Sequence, residues 1–493
     1  MLGAARGFGA RMEAAILNQH TALPHESGEP HDQLPCIADV APGGPWRQLV
    51  NRVIRRRVSA VATQTGEERL EAVASSGLSG DIPIPGDKSM SHRALIIGGL
   101  AEGTTIIHGL LESEDVLHTA EAVRSFGATV ERFGEGYWTV TGTRWQSPDA
   151  PVECGNSGTA ARLLMGAAAG FALEARFVGD ESLSRRPMDR ILEPLRRMGA
   201  VAVGDVLPVT LRGGQLVRIS HVNSRASAQV KSALLFAGLH AEGGVEIIEP
   251  AASRDHSETM LREFGCNLEV DRGRINLDGS CRPTATSIRI PGDPSSAAFP
   301  FVAALISPGS NVRARSVMIN PLRAGLFDTL RAMGARLDVT PRGNMSGEAV
   351  ADITAAYGPL QGIEVPAERA PSMIDEYPIL AVAAAYASGR TILHGLAELR
   401  VKECDRLAAI VEGLRVCGVE AWIEGDALFI EGRGGPPPGG AVVAAHGDHR
   451  IAMSFLVLGL ASCSPVAVDS ATSIATSFPG FAQLMRRIGA NIA

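Results

Sequence analysis

The chain has 493 residues, 45% hydrophobic and 20% charged, a length at which one hydrophobic core stops growing and two domains are expected. A formal net charge of −7 argues against general nucleic-acid binding, and no apolar run is long enough to predict a membrane span. The seven cysteines show no CxxC pair and no metal-ligand spacing, so a reducing cytoplasm is the expected compartment.

Residues 1–76 differ from the rest of the chain. They mix Pro, His, Arg and acidic residues without a sustained period, which predicts a disordered N-terminal extension or a start codon assigned too early. The cluster Arg55-Arg56-Arg57 leaves a basic tail or transit segment open. The apolar run 14–17 is too short for the core of a signal peptide.

Beyond residue 76 one pattern occurs six times. An amphipathic helical segment ends in an apolar residue and is followed by Gly, a small residue and a strand. Glycine just past a helix end supplies the left-handed cap that other residues disfavour. These glycines lie 66 to 84 positions apart, which indicates duplication of one α/β unit. They are Gly127, Gly199, Gly265, Gly334, Gly418 and Gly489.

The first and fourth units begin alike. Residues 82–89 read IPIPGDKS and residues 288–295 read IRIPGDPS, and each leads into an apolar helix. This likeness predicts two similar α/β domains of three units each. A period near 70 residues is too long for a thin solenoid, so compact domains fit better.

Cations occur beside the predicted helix starts, where a helix dipole disfavours them. Ser, Thr, Asn and Asp at such positions are usually helix N-caps, and capping explains most of the polar turns. It does not explain the cations, which together with free backbone N–H groups suit a small polyanionic ligand better than a solvated surface. The cations are Lys88, Arg93, Arg186, Arg254, Lys402, Arg406 and Arg450.

Three carboxylates fall near these cations: Asp375, Glu376 and Glu403. Each could be an ordinary salt-bridge partner, or two of them could form a proton-transfer set with Lys88. Other chemistries lack their signatures. There is no P-loop, no dinucleotide fingerprint and no nucleophile elbow, and His446 and His449 lack a convincing third metal ligand.

Four motifs resemble those of the enolpyruvyl transferases that act on shikimate 3-phosphate. They are PGDKSMSHRA at 85–94, GNSGT at 155–159, RVKECDRL at 400–407 and DHRIAM at 448–453, in family order. The likeness runs from about residue 77 to the C-terminus and has features of the divergent bacterial branch.

The resemblance implies an inside-out α/β barrel fold, with two domains of three βαβαββ units and the active site in the cleft between them. One domain would comprise residues 77–86 and 286–493, and the other residues 87–285. Helix N-termini would face the cleft, where their dipoles favour anions.

The resemblance also implies the substrates, shikimate 3-phosphate and phosphoenolpyruvate, with no metal or cofactor, no nucleic acid, no membrane and a monomeric enzyme. Shikimate 3-phosphate would be bound by Lys88, Ser89, Arg93, Ser227, Ala228, Gln229, Arg254, Asp375 and Lys402. Phosphoenolpyruvate would be bound by Lys88, Gly158, Arg186, Gln229, Arg406 and Arg450.

The implied reaction is addition followed by elimination. Asp375 is expected to take the proton of the substrate 5-hydroxyl. Glu403, assisted by Lys88, is expected to protonate the methylene carbon. Orientation and cationic stabilisation would supply much of the rate enhancement, because two anions must be held together.

Two positions bear on how far the resemblance extends. Many family members have a lysine where this chain has Thr476, so one expected cation is missing. Some of the divergent branch tolerate glyphosate through alanine at the position of Gly158, so glycine predicts inhibition by glyphosate in competition with phosphoenolpyruvate.

Three other functions are possible readings. A sister enzyme that transfers enolpyruvate to a UDP-amino sugar would be expected to have Lys-Asn where this chain has Lys88-Ser89. RNA 3′-phosphate cyclisation, built on related units, would require a basic strand-binding surface that the charge balance does not provide. A non-catalytic phospho-ligand binder would keep its role after loss of Asp375.

Overall fold

The computed structural model describes residues 69–279 and 281–493, so the expected disorder of residues 1–68 lies outside it. Within these ranges the chain forms six four-stranded sheets. In each sheet the first strand pairs in parallel with the second, and the remaining pairs are antiparallel. This repetition agrees with the repeated α/β unit that the sequence predicts and with the βαβαββ unit that the resemblance implies.

Three sheets come from the middle of the chain. In spatial order their strands are Ser287–Arg289, Thr104–His108, Tyr137–Thr141 and Thr129–Gly134; Val152–Glu153, Glu174–Val178, Val209–Arg212 and Val201–Val203; and Leu216–Val222, Ala241–Ile248, Arg274–Leu277 and Leu268–Asp271. Their helices are Lys88–Leu100, Glu114–Ser125, Gly158–Ala169, Glu181–Ser184, Asp189–Met198, Ala228–Gly238 and His256–Glu263.

The other three sheets combine the C-terminal part with two early strands. Their strands are Ser79–Ile82, Asn311–Met318, Glu348–Ala356 and Arg336–Met345; Glu364–Val365, Ser388–Leu393, Ala427–Arg433 and Ala421–Glu424; and Val442–Val443, Val466–Val468, Leu70–Val73 and Asn491–Ile492. Their helices are Pro294–Ile306, Gly325–Ala332, Ala370–Met373, Tyr377–Tyr386, Arg406–Val416, His449–Gly459 and Phe481–Arg487, with 3-10 turns at Ala367–Arg369, Ala397–Val401 and Thr472–Thr476.

Helix ends and starts follow the predicted chemistry. All six repeated glycines have a left-handed backbone, with φ between 78° and 115°. The first helix of five units is capped by a side chain that accepts a backbone N–H, and only Tyr377–Tyr386 lacks such a cap among the six. The predicted glycine caps are confirmed.

Buried apolar residues form two separate clusters. One cluster runs from Met90 to Ile290 with Met318 added, and we call it the 90–290 core. The other runs from Ala297 to Ile492 and includes residues between Leu70 and Ile82, and we call it the 297–492 core. The two clusters correspond to the two similar halves expected from the repeats.

The chain crosses twice between these cores. Ser79–Ile82 pairs with Asn311–Met318 of the 297–492 core but leads into the helix Lys88–Leu100 of the other core. Gly86 and Gly292 form a β-bridge where the two crossings meet. A Cβ on Gly86 would lie 1.9 Å from the Gly109 carbonyl oxygen, so only glycine fits there.

Two expected boundaries need correction. The strand Leu70–Val73 pairs with Val466–Val468, so the fold begins before residue 77. A strand this short, with partners nearly 400 residues away, leaves no local period in the sequence. Residues 287–290 belong to the 90–290 core because Ser287–Arg289 pairs with Thr104–His108, so the return crossing lies after residue 290 rather than at 286.

A disulfide joins Cys266 to Cys281, with 5.6 Å between the Cα atoms. The expectation of reduced cysteines rested on the absence of CxxC and metal-ligand spacing, and for this pair it was wrong. None of the helices in the described ranges combines the length and apolarity needed to cross a membrane.

Candidate active site

The expected substrate-binding residues come from both halves and meet through ion pairs. Arg254, just before the helix His256–Glu263, donates from Nη2 to Oδ2 of Asp375 at 2.6 Å. Asp375 precedes the helix Tyr377–Tyr386 of the other half. A longer pair joins Arg186 to Glu403, with 3.8 Å between Nη1 and Oε1.

A polar cavity of about 590 Å³ lies beside the second of these pairs. Its lining includes Arg186, Lys402 and Glu403, together with Ser182 and Asp405. Its volume falls in the range of small-molecule sites, and its walls are rich in charged side chains of both signs. The cavity therefore suits a small, charged ligand.

Asp375 is a carboxylate held among cations. Its Oδ1 lies 3.3 Å from Lys402 Nζ and 3.3 Å from Arg406 Nη1, while Arg254 binds Oδ2. Burial by itself raises the pKa of Asp375, but Lys402, Arg254, Arg450 and Arg406 outweigh burial and hold that pKa well below its usual range. Asp375 is therefore an anion at neutral pH.

Arg406 connects the two acids expected to move protons. Its Nη1 contacts Asp375, and its Nη2 lies 2.5 Å from Oε2 of Glu403. Asp448, the cap of the helix His449–Gly459, fixes Arg406 through Nε at 2.6 Å. Burial raises the pKa of Glu403, but Arg406 and Arg186 reverse this effect and keep that pKa well below its usual range.

Arg186 is buried, and hydrogen bonds to neutral oxygen atoms fix the orientation of its guanidinium group. Its Nη2 donates to Oδ1 of Asn156 at 2.6 Å and to Oγ of Ser182 at 3.0 Å, and its Nη1 donates to the Asn156 carbonyl at 3.2 Å. Its Nε has no hydrogen-bond partner among the described residues. A buried donor without a partner is costly, so Arg186 keeps capacity for a bound anion.

Lys88 stands apart from the other two proposed proton-transfer residues. It is the first residue of the helix Lys88–Leu100, and its Nζ lies 2.5 Å from Oδ2 of Asp115. Among the described residues it forms no ion pair with Asp375 or Glu403. The expected catalytic set is therefore only partly joined by direct contacts.

Arg93 is a buried cation whose direct contacts are all neutral. Its Nη1 donates to the Ser89 carbonyl at 2.9 Å, its Nε to Ser257 Oγ at 2.8 Å and its Nη2 to Ser232 Oγ at 2.7 Å. Burial is the main cause that lowers the pKa of Arg93 to about 10, which leaves it charged at neutral pH. A cation without a carboxylate in contact favours an anionic ligand nearby.

The turn before the helix Ala228–Gly238 lies against the start of the helix Gly158–Ala169. Ser227 Oγ caps the first of these helices by accepting the N–H of Val230. Gln229 donates from Nε2 to Thr159 Oγ1 at 2.9 Å, and its Oε1 accepts from Arg162 Nη1 at 2.8 Å. The two expected ligand segments are thus hydrogen-bonded to each other.

Arg450 approaches the acids from a third helix. Its Nη1 donates to the Asp375 carbonyl at 3.0 Å and to Oε1 of Glu376 at 3.2 Å. Glu376 also accepts from Arg323 Nη1 at 3.0 Å. Burial raises the pKa of Glu376, but Arg323 and Arg450 lower it below its usual value. Glu376 thus serves as a buried ion-pair partner that holds Arg450.

Sequence reasoning missed Arg323 and Arg162. Arg323 precedes the second helix of its unit, as Arg186 and Arg254 do, so comparing the repeats at that position would have found it. Arg162 lies on the second turn of its helix and becomes notable only through its contact with Gln229. No sequence pattern singles it out.

Thr476, where the resemblance leads us to expect a lysine in many family members, lies on the 3-10 turn Thr472–Thr476. Its Oγ1 donates to the Ser473 carbonyl at 2.7 Å and lies 3.4 Å from Nδ1 of the buried His449. Burial, with Lys88 and Arg450 nearby, keeps the pKa of His449 well below its usual value, so this ring is neutral. His449 therefore does not supply the positive charge that a lysine at position 476 would provide.

Comparisons with known proteins extend over most of the chain. The EPSP synthase family (3-phosphoshikimate 1-carboxyvinyltransferase) matches residues 73–485. A 3-phosphoshikimate 1-carboxyvinyltransferase from Caulobacter vibrioides (strain NA1000 / CB15N) is 54% identical over 436 residues, covering 86% of this chain and 98% of the relative. One of the same name from Bradyrhizobium sp. (strain ORS 278) is 54% identical over 446 residues, covering 88% and 100%.

Solved structures confirm the expected fold class. EPSP synthase from Acinetobacter baumannii has a TM-score of 0.77 and 41% identity, covering 86% of this chain and 99% of that one. The enolpyruvyl transferase NikO from Streptomyces tendae, at 21% identity and a TM-score of 0.70, is similar in fold. The chain therefore belongs to the EPSP synthase (3-phosphoshikimate 1-carboxyvinyltransferase) family.

Proposed function

We propose that this chain transfers the carboxyvinyl group of phosphoenolpyruvate to the 5-hydroxyl of shikimate 3-phosphate and releases inorganic phosphate. The observation that carries this proposal is the carboxylate of Asp375, held in one buried cluster with four cations from three segments of the chain. A base surrounded by exchangeable cationic partners suits a hydroxyl nucleophile on a phosphorylated substrate. The family assignment favours this reaction over enolpyruvyl transfer to a UDP-amino sugar.

The two substrates divide the cations between them. Arg254, Lys402 and Arg93 suit the phosphate and hydroxyls of shikimate 3-phosphate, together with the turn 227–229. Arg186, Arg406 and Arg450 suit phosphoenolpyruvate, because planar guanidinium groups match carboxylate and phosphate oxygens. Gly158 leaves the backbone of its helix start open to close approach.

Substrate binding would also activate Asp375. In the structure Arg254 binds Oδ2 of Asp375 and helps keep its pKa low, which makes it a weak base. The phosphate of shikimate 3-phosphate competes for Arg254. When Arg254 turns to the phosphate, the pKa of Asp375 rises and Oδ2 becomes free to accept the 5-hydroxyl proton.

The same reasoning applies to Glu403. It must carry a proton to donate one to the methylene carbon, yet Arg406 and Arg186 hold it as an anion. Phosphoenolpyruvate attracts both arginines, which raises the affinity of Glu403 for a proton. Lys88, the first residue of the helix Lys88–Leu100, assists Glu403. Its ammonium group can leave Asp115 and bind a substrate oxygen instead.

The reaction balances without a cofactor. The hydroxyl oxygen bonds to C2 of phosphoenolpyruvate as its methylene carbon gains a proton, which gives a tetrahedral adduct. The adduct loses a proton from the methyl carbon and expels inorganic phosphate, and the double bond is restored. Glu403 takes back the proton that the methyl carbon loses, and the proton that Asp375 took from the hydroxyl passes to the departing phosphate. Asp375, Glu403 and Lys88 thus return to their starting protonation states, and the protein forms no covalent bond.

The cellular setting and domain limits complete the proposal. The enzyme works as a monomer in the cytoplasm, in the biosynthesis of chorismate and aromatic amino acids. Residues 69–86 and 291–493 form one domain and residues 87–290 the other, with the active site in the cleft between them. The crossings after residues 86 and 290 act as the hinge.

A phosphate-release assay tests the function. The protein is incubated with phosphoenolpyruvate and either shikimate 3-phosphate or UDP-N-acetylglucosamine. Release only in the presence of shikimate 3-phosphate is expected. Release with the UDP-sugar alone would support the sister activity, and no release with shikimate 3-phosphate would overturn the proposal.

A further inference from the structure

A buried polar cluster lies behind the turns proposed to bind shikimate 3-phosphate. Glu249 is at its centre and is only 7% exposed. Its Oε2 accepts from Lys231 Nζ at 2.8 Å, and its Oε1 accepts from Ser253 Oγ at 2.6 Å and from Asn223 Nδ2 at 2.7 Å. These buried polar groups play no part in the mechanism described above.

The first arm of the cluster holds the turn before the helix Ala228–Gly238. Asn223 donates from Nδ2 to the Ser227 carbonyl at 3.1 Å, and its Oδ1 accepts the Ser227 N–H at 3.2 Å. Ala226, between them, has a left-handed φ of 49°, which a non-glycine residue adopts only when its surroundings fix it. Glu249 fixes Asn223 and thereby this turn.

The second arm holds the segment that carries Arg254. Ser253 donates from its backbone N–H to Oε2 of Glu249 at 3.3 Å, and its carbonyl accepts from Lys231 Nζ at 3.2 Å. Arg254 is the next residue along the chain. Lys231 also pairs with Glu258 at 2.7 Å, which ties the cluster to the helix that follows Arg254.

From this geometry we infer that Glu249 is a positioning residue for shikimate 3-phosphate. One carboxylate connects the turn 223–229 and the segment 253–254, so the two groups of phosphate ligands are held at a fixed separation. Such preorganisation lowers the cost of ordering two chain segments around one phosphate. The inference rests on the proposed function, because it names the substrate that the turns bind.

The test compares Glu249→Gln with the wild-type enzyme. The amide keeps the size of the side chain, but it places an N–H donor against other donors and removes one of the two carboxylates that pair with Lys231. KM for shikimate 3-phosphate is expected to rise about tenfold or more, while kcat and KM for phosphoenolpyruvate change less than about threefold. Calorimetry with shikimate 3-phosphate alone should show the same loss of affinity.

Two further variants separate positioning from general destabilisation. Asn223→Ala removes one arm and leaves the buried Lys231–Glu249 pair intact, so it decides the matter if Glu249→Gln does not fold. Asp352→Asn is the matched control, because Asp352 is also 7% exposed and binds Arg313, Arg342 and the Ser316 N–H. It should lower stability without a selective rise in KM for shikimate 3-phosphate.

Several outcomes would overturn the inference. One is a folded Glu249→Gln or Asn223→Ala enzyme with the wild-type KM for shikimate 3-phosphate. Another is an equal rise in both KM values, as expected for a purely structural residue. Failure of the proposed function would look different, because the wild-type protein itself would then release no phosphate.

Discussion

At the scale of single residues, the chemistry depends on carboxylates that cations hold in the ionised form. Asp375 has the highest number of cationic contacts among the proposed catalytic residues, and every one of them is a group that a phosphorylated substrate could attract. Without substrate, the charges of the site are therefore neutralised by ion pairs. Anionic substrates can replace the carboxylates as partners of the cations. This arrangement keeps the buried charges paired at each stage.

Replacing Asp375 with asparagine tests its role as the base. Asp375→Asn keeps the shape of the side chain and should lower kcat by about 10²- to 10⁴-fold, the usual contribution of a general base. Binding of shikimate 3-phosphate should persist because Arg254 and Lys402 are freed for the phosphate. Steady-state kinetics and calorimetry measure the two effects, and a kcat within threefold of wild type would exclude Asp375 as the base.

Gly158 gives a second prediction at this scale. Wild-type enzyme should be inhibited by glyphosate in competition with phosphoenolpyruvate, and unchanged activity at high inhibitor and limiting phosphoenolpyruvate would refute this. A Cβ at residue 158 would lie 2.6 Å from Arg162 Nη1 and 3.5 Å from Arg186 Nη1. Gly158→Ala should therefore displace Arg162 and raise the glyphosate concentration for half-inhibition about tenfold or more.

The sequence singled out the cations that we propose as ligands, but it did not single out the residues that contact them. The cations beside helix starts could be identified because they contradict the helix dipole. Their partners could not be identified, since Asp115, Asp448 and Arg162 have ordinary roles on a helix and gain meaning only from contacts distant in sequence.

At the scale of elements, the repeated unit was predictable because the second helix of each copy is followed by the same left-handed glycine. Gly265 illustrates the cause, since it has a φ of 80° and a Cβ added there would meet no atom within 4 Å. The preference for glycine there comes from the backbone alone. Elements made from distant strands were not predictable, as the pairing of Leu70–Val73 with Val466–Val468 shows.

Gly265→Ala tests this account of the caps. The substitution meets no steric obstacle, so it should cost about 1 kcal/mol through the left-handed backbone alone. Gly86→Ala is the contrasting variant because its Cβ would collide with the Gly109 carbonyl oxygen, and it should cost considerably more. Chemical unfolding measures both. Equal costs for the two variants would contradict the distinction between backbone strain and collision.

At the scale of the whole molecule, ion pairs across the two halves make stability depend on pH. The pKa values of Asp375 and Glu403 lie well below the usual range, so the unfolded chain binds more protons than the folded chain as pH falls. Their stabilisation is complete above the unfolded pKa values, near 4, and is lost as pH falls further towards the folded values. Asp293 and Glu258 act in the opposite sense because their pKa values are raised.

Comparison of variants isolates the contribution of Asp375. Below about pH 4 the free energy of unfolding should fall more steeply in wild type than in Asp375→Asn, by up to about 1.4 kcal/mol per pH unit. Denaturant unfolding between about pH 6 and pH 3 measures the two slopes. Parallel curves would mean that the pKa of Asp375 is not lowered by folding.

In the proposed reaction the cationic site joins two phosphorylated substrates and releases the phosphate of only one of them, phosphoenolpyruvate. Phosphorus-31 NMR of one reaction mixture follows both substrates and the product at the same time. The predicted result is that the phosphoenolpyruvate signal is replaced by inorganic phosphate in step with conversion of shikimate 3-phosphate to a new phosphate monoester. Two results would contradict this prediction. One is loss of the shikimate 3-phosphate signal without a new phosphate-monoester signal, and the other is loss of phosphoenolpyruvate when shikimate 3-phosphate is absent.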